Sequence, residues 1–225
     1  MKDGLWLMVD GEECFYFYDE LEQEIIDQLI QPIGGFVFAA NQFTHMNLPR
    51  VPFYIDDWLP KQGKMLLYGP AKTGKSYLSI QMARCIGIGE PFLGIPTQRG
   101  KTLYTQFELG EEVLMKRMIE TNKDYDNVYV GTRLNMKLDR DSGQADFNRA
   151  MEAIQPAVLI VDPLYKTMEG DENEATDVMR VLNYLDQLIE AYRCSIVLIH
   201  HAGKDITKRG RGSSVLEDWV DSYIQ

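Results

Sequence analysis

Apolar and polar positions follow different rules before and after about residue 50 of the chain. Residues 4–20 hold two short apolar runs on either side of Asp10-Gly11, a pattern that predicts a β-hairpin. Residues 20–30 place apolar side chains at helical spacing, and residues 34–40 form a short apolar run that predicts a strand. Residues 41–60 contain three prolines and predict a linker. These patterns indicate a small N-terminal hairpin and helix region over residues 1–50, an α+β appendage.

The remaining residues, 51–225, alternate between strand and helix patterns and are predicted to form one domain. Strands are predicted over 65–69, 101–109, 127–134, 157–162 and 195–200. Helices are predicted between them, over 75–89, 110–122, 144–155 and 172–193. Such alternation is typical of a parallel sheet covered by helices on both faces, so the predicted fold class is α/β.

A phosphate-binding sequence lies between the first strand and the first helix of this domain. Residues 69–76 read GPAKTGKS and match the pattern G-x-x-x-x-G-K-[ST] in its strand–loop–helix setting. Lys75 is expected to reach the β- and γ-phosphates, and the Ser76 hydroxyl is expected to bind Mg²⁺. The pattern therefore predicts ATP and Mg²⁺ as ligands, and the alternative is a chance glycine-rich turn. The predicted nucleotide-binding residues are Gly69, Pro70, Ala71, Lys72, Thr73, Gly74, Lys75, Ser76 and Tyr77.

Two carboxylates are predicted to stand at strand ends beside this loop. Asp162 ends the buried strand AVLIVD, at the sheet edge where ligands bind in parallel α/β proteins, and is predicted to hold the metal. Glu108 ends the pattern KTLYTQFE and is predicted to activate the attacking water. The alternatives are a turn cap for Asp162 and an ordinary surface position for Glu108.

Two adjacent histidines and a basic segment follow the last predicted strand. His200 and His201 should point to opposite faces of that strand, so they cannot easily share a metal ion, and a zinc site is not expected. Residues 202–214, rich in glycine and polar residues, predict a mobile loop. Its cations are candidates for sequence-independent contact with nucleic-acid phosphates, or for a solvated surface: Lys204, Lys208, Arg209 and Arg211.

Composition narrows the setting in which these motifs act. The chain has 23 basic and 34 acidic residues, a net charge of −11, so nucleic acid could bind only at a local basic patch. No apolar run approaches the roughly 18 residues that span a bilayer, and the N-terminus lacks signal-peptide features. Three scattered cysteines, Cys14, Cys85 and Cys194, indicate reduced thiols and a cytoplasmic protein.

Five segments taken together resemble one known family: GPAKTGKS, FELGEEVLMKRM, LIVDPLYKTMEGDENEA, LIHHAGK and RGSSVLEDWVD. They resemble RecA-like ATPases of the RepA type, hexameric replicative helicases of plasmids and phages that are related to DnaB-type helicases. The resemblance runs from about residue 50 to the end and implies a RecA-like fold.

The resemblance also implies roles for individual residues. It implies that Glu108 is the catalytic base, that Asp162 is the Walker-B carboxylate and that a strand-end histidine, with His201 the better candidate, senses the γ-phosphate. Arg117 matches a recurrent family position, with a surface helix cation as the alternative. The arginine that reaches a neighbour's nucleotide cannot be assigned, because the sequence ends with GSSVLEDWVDSYIQ, where the family's members continue. The resemblance therefore implies either a truncated portion of such a protein or a minimal ATPase.

The resulting expectation is an ATP-hydrolysing motor that acts on single-stranded DNA in the manner of a replicative helicase. Its expected partners are single-stranded DNA, replication proteins and copies of itself, which would form a hexameric ring if the chain is full-length. No membrane is expected among its partners. Two alternatives stay open. One is an ATP-dependent recombination mediator or assembly ATPase on DNA, and the other is a regulatory ATP-binding module for a protein partner.

Overall fold

The computed structural model divides into two compact units, Met1–Arg50 and Val51–Gln225. It describes the chain apart from residues 1–3, 10, 11, 18–20, 24, 27–29, 31, 34, 49, 122, 133 and 202–210. For residues 5–9, 12–14 and 211–213 it describes the backbone alone.

The first unit contains the predicted hairpin. Strands β1 (Gly4–Val9) and β2 (Glu12–Phe17) pair antiparallel, which confirms that prediction. Helical residues lie within the predicted helix over 20–30, and buried Ile26 and Ile30 lie together on one side of it. The prediction of a strand over 34–40 is wrong for the described residues. Gly35 turns the chain at a φ of 86°, so that Val37 forms only an isolated bridge to Ile33.

The segment predicted as a linker, residues 41–60, contains regular structure instead. Helix α1 (Ala40–Phe43) occupies its beginning. Strands β3 (Phe53–Ile55) and β4 (Leu59–Pro60) then pair antiparallel at the start of the second unit. Ile55 and Leu59 are fully buried, so apolar burial fixes a stretch whose prolines suggested irregular structure.

A six-stranded sheet forms the centre of the second unit. Its strands are β5 (Lys64–Gly69), β6 (Thr102–Gln106), β7 (Val128–Gly131), β8 (Val158–Asp162), β9 (Ser195–His201) and β10 (Ser222–Ile224). Every neighbouring pair is parallel, in the order β10-β5-β9-β8-β6-β7. The predicted parallel α/β sheet is therefore confirmed, and β10 adds a strand that the sequence pattern did not predict.

Helices cover both faces of this sheet. One face packs against α2 (Lys75–Ile88) and α3 (Glu111–Glu120). The other packs against α4 (Asp141–Ile154), α5 (Ala175–Tyr192) and α6 (Arg211–Trp219). A 3₁₀ helix (Leu164–Thr167) follows β8. Adjacent strand residues such as Leu66 and Leu67 enter different cores, because successive side chains of a strand point to opposite faces.

The prediction of a loop over residues 202–214 is wrong for its last four residues, because α6 begins at Arg211. Residues 202–210 lie outside the described part of the chain. Within the described part, the helices are all too short or too polar to cross a lipid bilayer.

The core between the sheet and α5 should be sensitive to cavity formation. Leu182 on α5 is fully buried, so Leu182→Ala is expected to lower the free energy of unfolding by about 2–5 kcal/mol. Met179 lies on the same helix but is 40% exposed, and Met179→Ala serves as the control with an expected loss of under about 1 kcal/mol. Urea unfolding of both variants measures the difference, and equal losses would contradict this packing.

Candidate active site

The loop between β5 and α2 is shaped to receive an anion. Gly74 has a φ of 92°, in the left-handed region that side-chain-bearing residues rarely adopt. It is also the N-cap of α2, and no described side chain caps the helix there. The first N–H groups of α2 therefore remain available, at the positive end of the helix dipole, for a phosphate group.

Lys75 lies inside this loop. Its side chain is buried, and its Nζ donates hydrogen bonds to the carbonyl oxygens of Gly69 at 2.7 Å and Pro70 at 2.6 Å. Burial lowers the pKa of Lys75, and the nearby charge of Asp162 opposes that shift. The loop thus holds the ammonium group at the place where the pattern predicts phosphate oxygens.

Asp162 is the last residue of β8 and is only 1% exposed. Its Oδ2 accepts hydrogen bonds from the Tyr104 hydroxyl at 2.5 Å and from Gln106 Nε2 at 3.2 Å. Burial raises the pKa of Asp162, whereas hydrogen bonds from Tyr104 and Ser76 lower it. The Ser76 contact places the predicted metal-binding hydroxyl and carboxylate side by side.

Glu108 does not end β6, as the sequence pattern predicted. The strand ends at Gln106, because the chain bends over residues 107–109 once Phe107 N–H has donated to the Asp162 carbonyl at 2.8 Å. Glu108 is exposed and lies near the site, since its charge contributes to the raised pKa of Asp162. Its backbone N–H donates to Gln106 Oε1 at 2.7 Å, which fixes the main chain that carries the carboxylate.

The two histidines occupy different surroundings, as strand alternation predicts. His200 is buried and stacks on Tyr68 with ring centroids 5.6 Å apart. Its Nδ1 lies 3.9 Å from Glu172 Oε2, which is longer than a hydrogen bond. His201 is half-buried, and Asp162 and Glu108 lie close enough to raise its pKa.

Both histidines are held in the neutral form near pH 7. Burial lowers the pKa of His200 to about 4, and burial followed by the charge of Lys75 lowers the pKa of His201. A neutral imidazole donates from one nitrogen and accepts at the other. His201 is therefore suited to hydrogen bonding beside the loop rather than to neutralising charge.

Tyr165 joins this group without having been predicted. It lies on the 3₁₀ helix three residues after Asp162, and its ring centroid is 5.7 Å from that of His201. Burial raises the pKa of Tyr165, followed by the charge of Glu108 and a hydrogen bond with it. The hydroxyl is therefore protonated at neutral pH and bonds to the glutamate, while the ring contacts the histidine.

Tyr104 and Gln106 were also missed, although the sequence contains a signal for them. Polar side chains at residues 104, 106 and 108 recur every second position, so they should share one face of the predicted strand. Burial and the charge of Asp162 raise the pKa of Tyr104 well above its usual value, which keeps its hydroxyl a donor. The contacts of Tyr104 and Gln106 with Asp162 depend on the pairing of β6 with β8.

The remaining residues predicted for the site differ in exposure and in their contacts. Residues 70–74 are exposed, and the Thr73 hydroxyl donates to the Pro70 carbonyl at 2.9 Å. Tyr77 is half exposed, and the Arg117 guanidinium lies 4.9 Å from its ring centre. Lys204, Lys208 and Arg209 lie outside the described residues, and Arg211 is described only as the first residue of α6.

A cavity of about 720 Å³ adjoins the phosphate loop. Its wall includes Gly69, Lys75 and Tyr77, and it continues past Arg84 and Tyr125. This volume lies in the range typical of small-molecule pockets, roughly 300–1,000 Å³. The site can therefore accommodate more of a ligand than its phosphates.

The donor atoms near the loop suit Mg²⁺. Ser76 offers a hydroxyl and Asp162 a carboxylate, which are hard oxygen ligands. Among the described residues, no three His, Cys, Asp or Glu side chains form a metal-binding cluster. Mg²⁺ usually binds through one or two carboxylates together with water and substrate phosphates, so a pair of protein ligands fits its chemistry.

Comparison with known proteins agrees with this architecture. A family model described as an AAA domain matches residues 36–206. Among solved structures, the KaiC-like protein PH0186 from Pyrococcus horikoshii OT3 is similar with a TM-score of 0.54 and 15% identity, over 76% of this chain and 73% of that chain. At this identity the likeness concerns the fold, and it supports the predicted RecA-like α/β class. No curated protein matches the sequence.

Proposed function

Because the chain belongs to the AAA-domain family and folds as a RecA-like P-loop ATPase domain, we propose that it uses ATP hydrolysis to act on single-stranded DNA, in the manner of a replicative helicase. One observation carries the proposal. Strand β9, which pairs with β5 beside the phosphate loop, ends in His201, next to the candidate hydrolytic groups, and the sequence continues directly into the basic segment from Lys204 to Arg211.

In this proposal the phosphate loop binds the phosphates, and residues at the strand ends bind the metal and activate water. The backbone N–H groups at the start of α2 and the Lys75 ammonium bind the β- and γ-phosphates. Ser76 and Asp162 would hold Mg²⁺, which would supply positive charge against the negative charge of the phosphates. The Asp162 carboxylate is buried and hydrogen-bonded to protein groups rather than to solvent.

Glu108 accepts the proton of the attacking water. Its side chain is exposed toward solvent while its backbone is fixed by Gln106, so the carboxylate is accessible without being loosely attached. Tyr165 lies beside it and donates rather than accepts, because its hydroxyl stays protonated. Proton transfer by a positioned side chain typically contributes about 10²–10⁴-fold to a rate.

His201 connects the nucleotide to the basic segment. It lies opposite Gly69 in the pairing of β9 with β5, so a γ-phosphate at the loop stands beside the strand end. A hydrogen bond from the neutral imidazole to that phosphate would position the residues that follow. DNA contact is assigned to Lys204, Lys208, Arg209 and Arg211, and with no aromatic residue from 202 to 211 it would be directed at backbone phosphates.

The proposal includes assembly into a homo-oligomeric ring, with six copies as in the resembled helicases. In the resembled helicases, an arginine from a neighbouring copy completes each site. Other replication proteins are the expected partners of such a ring.

A second candidate function is a regulatory ATP-binding module that docks onto a protein. The observation that favours it lies in the N-terminal unit, where Phe36 is 82% exposed and Ile33 is 67% exposed. Large exposed apolar side chains that cluster in sequence are typical of protein-binding surfaces. The acidic net charge of −11 is compatible with such a partner.

Glu108→Gln is expected to retain ATP binding and to lose at least about 100-fold in turnover, because the amide cannot accept the proton from water. Phosphate release measures turnover, and a fluorescent ATP analogue measures binding. Lys75→Ala provides the contrast, since it should weaken binding itself. Turnover by Glu108→Gln at the wild-type rate would remove Glu108 from the mechanism.

Single-stranded DNA is expected to stimulate ATP turnover severalfold at about 50 mM salt, and the stimulation should disappear toward about 200 mM as counterions compete for the phosphates. A variant with alanine at Lys204, Lys208 and Arg209 should keep its basal turnover and lose the stimulation. Lys116→Ala, which removes a surface lysine of α3, is the matched control and should respond like the wild type.

The outcomes of this experiment separate the candidate functions. Hydrolysis without DNA binding at low salt would contradict the motor function and favour the regulatory module. DNA-stimulated hydrolysis without strand displacement on a forked substrate would instead indicate a recombination mediator or assembly ATPase.

A further inference from the structure

Gln106 is the last residue of β6, and both the nitrogen and the oxygen of its carboxamide form hydrogen bonds. It is 1% exposed, so its polar atoms have no access to water and depend on protein partners. The structure supplies partners for its nitrogen and for its oxygen. These partners include both carboxylate-bearing residues to which the proposed function gives chemical roles.

The nitrogen side of Gln106 contacts the metal-holding carboxylate. Nε2 lies 3.2 Å from Asp162 Oδ2 and 3.2 Å from the Tyr104 hydroxyl, which itself donates to the same Oδ2 at 2.5 Å. Two donors from β6 thus converge on one oxygen of Asp162. Such contacts favour the ionised carboxylate in a place where burial disfavours it.

The oxygen side of Gln106 contacts the backbone of the hydrolytic residue. Oε1 accepts from the N–H of Glu108 at 2.7 Å and from the N–H of Leu109 at 3.2 Å. These bonds hold the bend that follows β6. Without them the two N–H groups would lose their acceptor at the point where the chain leaves the sheet.

We propose that Gln106 is a positioning residue for ATP hydrolysis, which fixes Glu108 relative to Asp162 through one carboxamide. The proposal rests on the proposed function, in which Glu108 activates water and Asp162 holds the metal. A carboxamide suits this task because it donates from nitrogen and accepts at oxygen without carrying charge. An apolar residue of similar size would fill the space and make neither contact.

A space-filling role predicts different behaviour from a positioning role. If Gln106 only fills the core, its replacement changes stability and the loss is independent of the residue at position 108. If it acts through Glu108, its replacement loses its effect on turnover once the Glu108 carboxylate is gone. Coupling of this kind is what a double-mutant cycle measures.

The test combines Gln106→Met, Glu108→Gln and the double variant in single-turnover ATP cleavage. Gln106→Met is expected to lower the cleavage rate at saturating ATP and saturating Mg²⁺ by about tenfold or more, the size of a lost hydrogen bond in a charged site. In the Glu108→Gln background the same substitution should change the residual rate by less than about twofold. Binding of a fluorescent ATP analogue in the absence of Mg²⁺ should stay within about twofold of wild type, because the phosphate loop is untouched.

A matched control removes a carboxamide elsewhere. Gln144 on α4 donates to the Leu138 carbonyl at 2.8 Å, on the opposite face of the sheet. Gln144→Met should lower the melting temperature and leave the cleavage rate within about twofold of wild type. If Gln106→Met does not fold, Gln106→Glu is used instead to test the contact with Asp162. That variant keeps an acceptor for Glu108 N–H while placing an acceptor against Asp162, and it should weaken Mg²⁺-dependent binding of the analogue.

Each outcome is decisive. Cleavage by Gln106→Met within about twofold of wild type, or a loss that adds fully to that of Glu108→Gln, overturns the positioning role and leaves the proposed function standing. Normal cleavage by Glu108→Gln overturns the proposed function, and the positioning role falls with it. For Gln106→Glu, unchanged Mg²⁺-dependent binding of the analogue counts against the link to Asp162.

Discussion

The burial of Asp162 is the constraint on which the rest of the site depends. A carboxylate that is 1% exposed is costly unless donors surround it, and here the Tyr104 hydroxyl and the Gln106 amide both reach its Oδ2. Those donors come from β6, so the carboxylate is stable only while β6 and β8 are paired in their observed register. The pairing of β6 with β8 therefore forms this part of the sheet and this part of the site together.

Parallel pairing brings the other groups to the same edge. Because every strand of the sheet runs in one direction, the phosphate loop after β5, Asp162 at the end of β8 and His201 at the end of β9 meet there. Alternation along β9 then separates His201, which lies near the carboxylates, from His200, which stacks on Tyr68. The arrangement gives a P-loop ATPase domain whose candidate hydrolytic groups lie at or just after the ends of neighbouring strands.

Much of this could be predicted from local sequence. The phosphate loop, the buried strand before Asp162 and the opposed faces of the two histidines follow from motif and periodicity. Three errors came from patterns without a clear period: the strand over 34–40, the linker over 41–60 and the loop extended past Arg211. The contact of Gln106 with Asp162 spans 56 positions in sequence and depends on strand pairing, so no local pattern specifies it. Tyr165 escaped prediction for the same reason, since its ring contact with His201 joins two separate elements.

A crystal structure with Mg²⁺ and a non-hydrolysable ATP analogue tests the central claim most directly, because it shows which contacts survive when the site is loaded. The account predicts that Asp162 Oδ2 keeps both donors from β6 and that Glu108 N–H stays on Gln106, while Lys75 Nζ exchanges the carbonyls of Gly69 and Pro70 for phosphate oxygens. A loaded structure in which Asp162 leaves Tyr104 and Gln106, or in which the metal and phosphates bind away from Ser76 and Lys75, would contradict it.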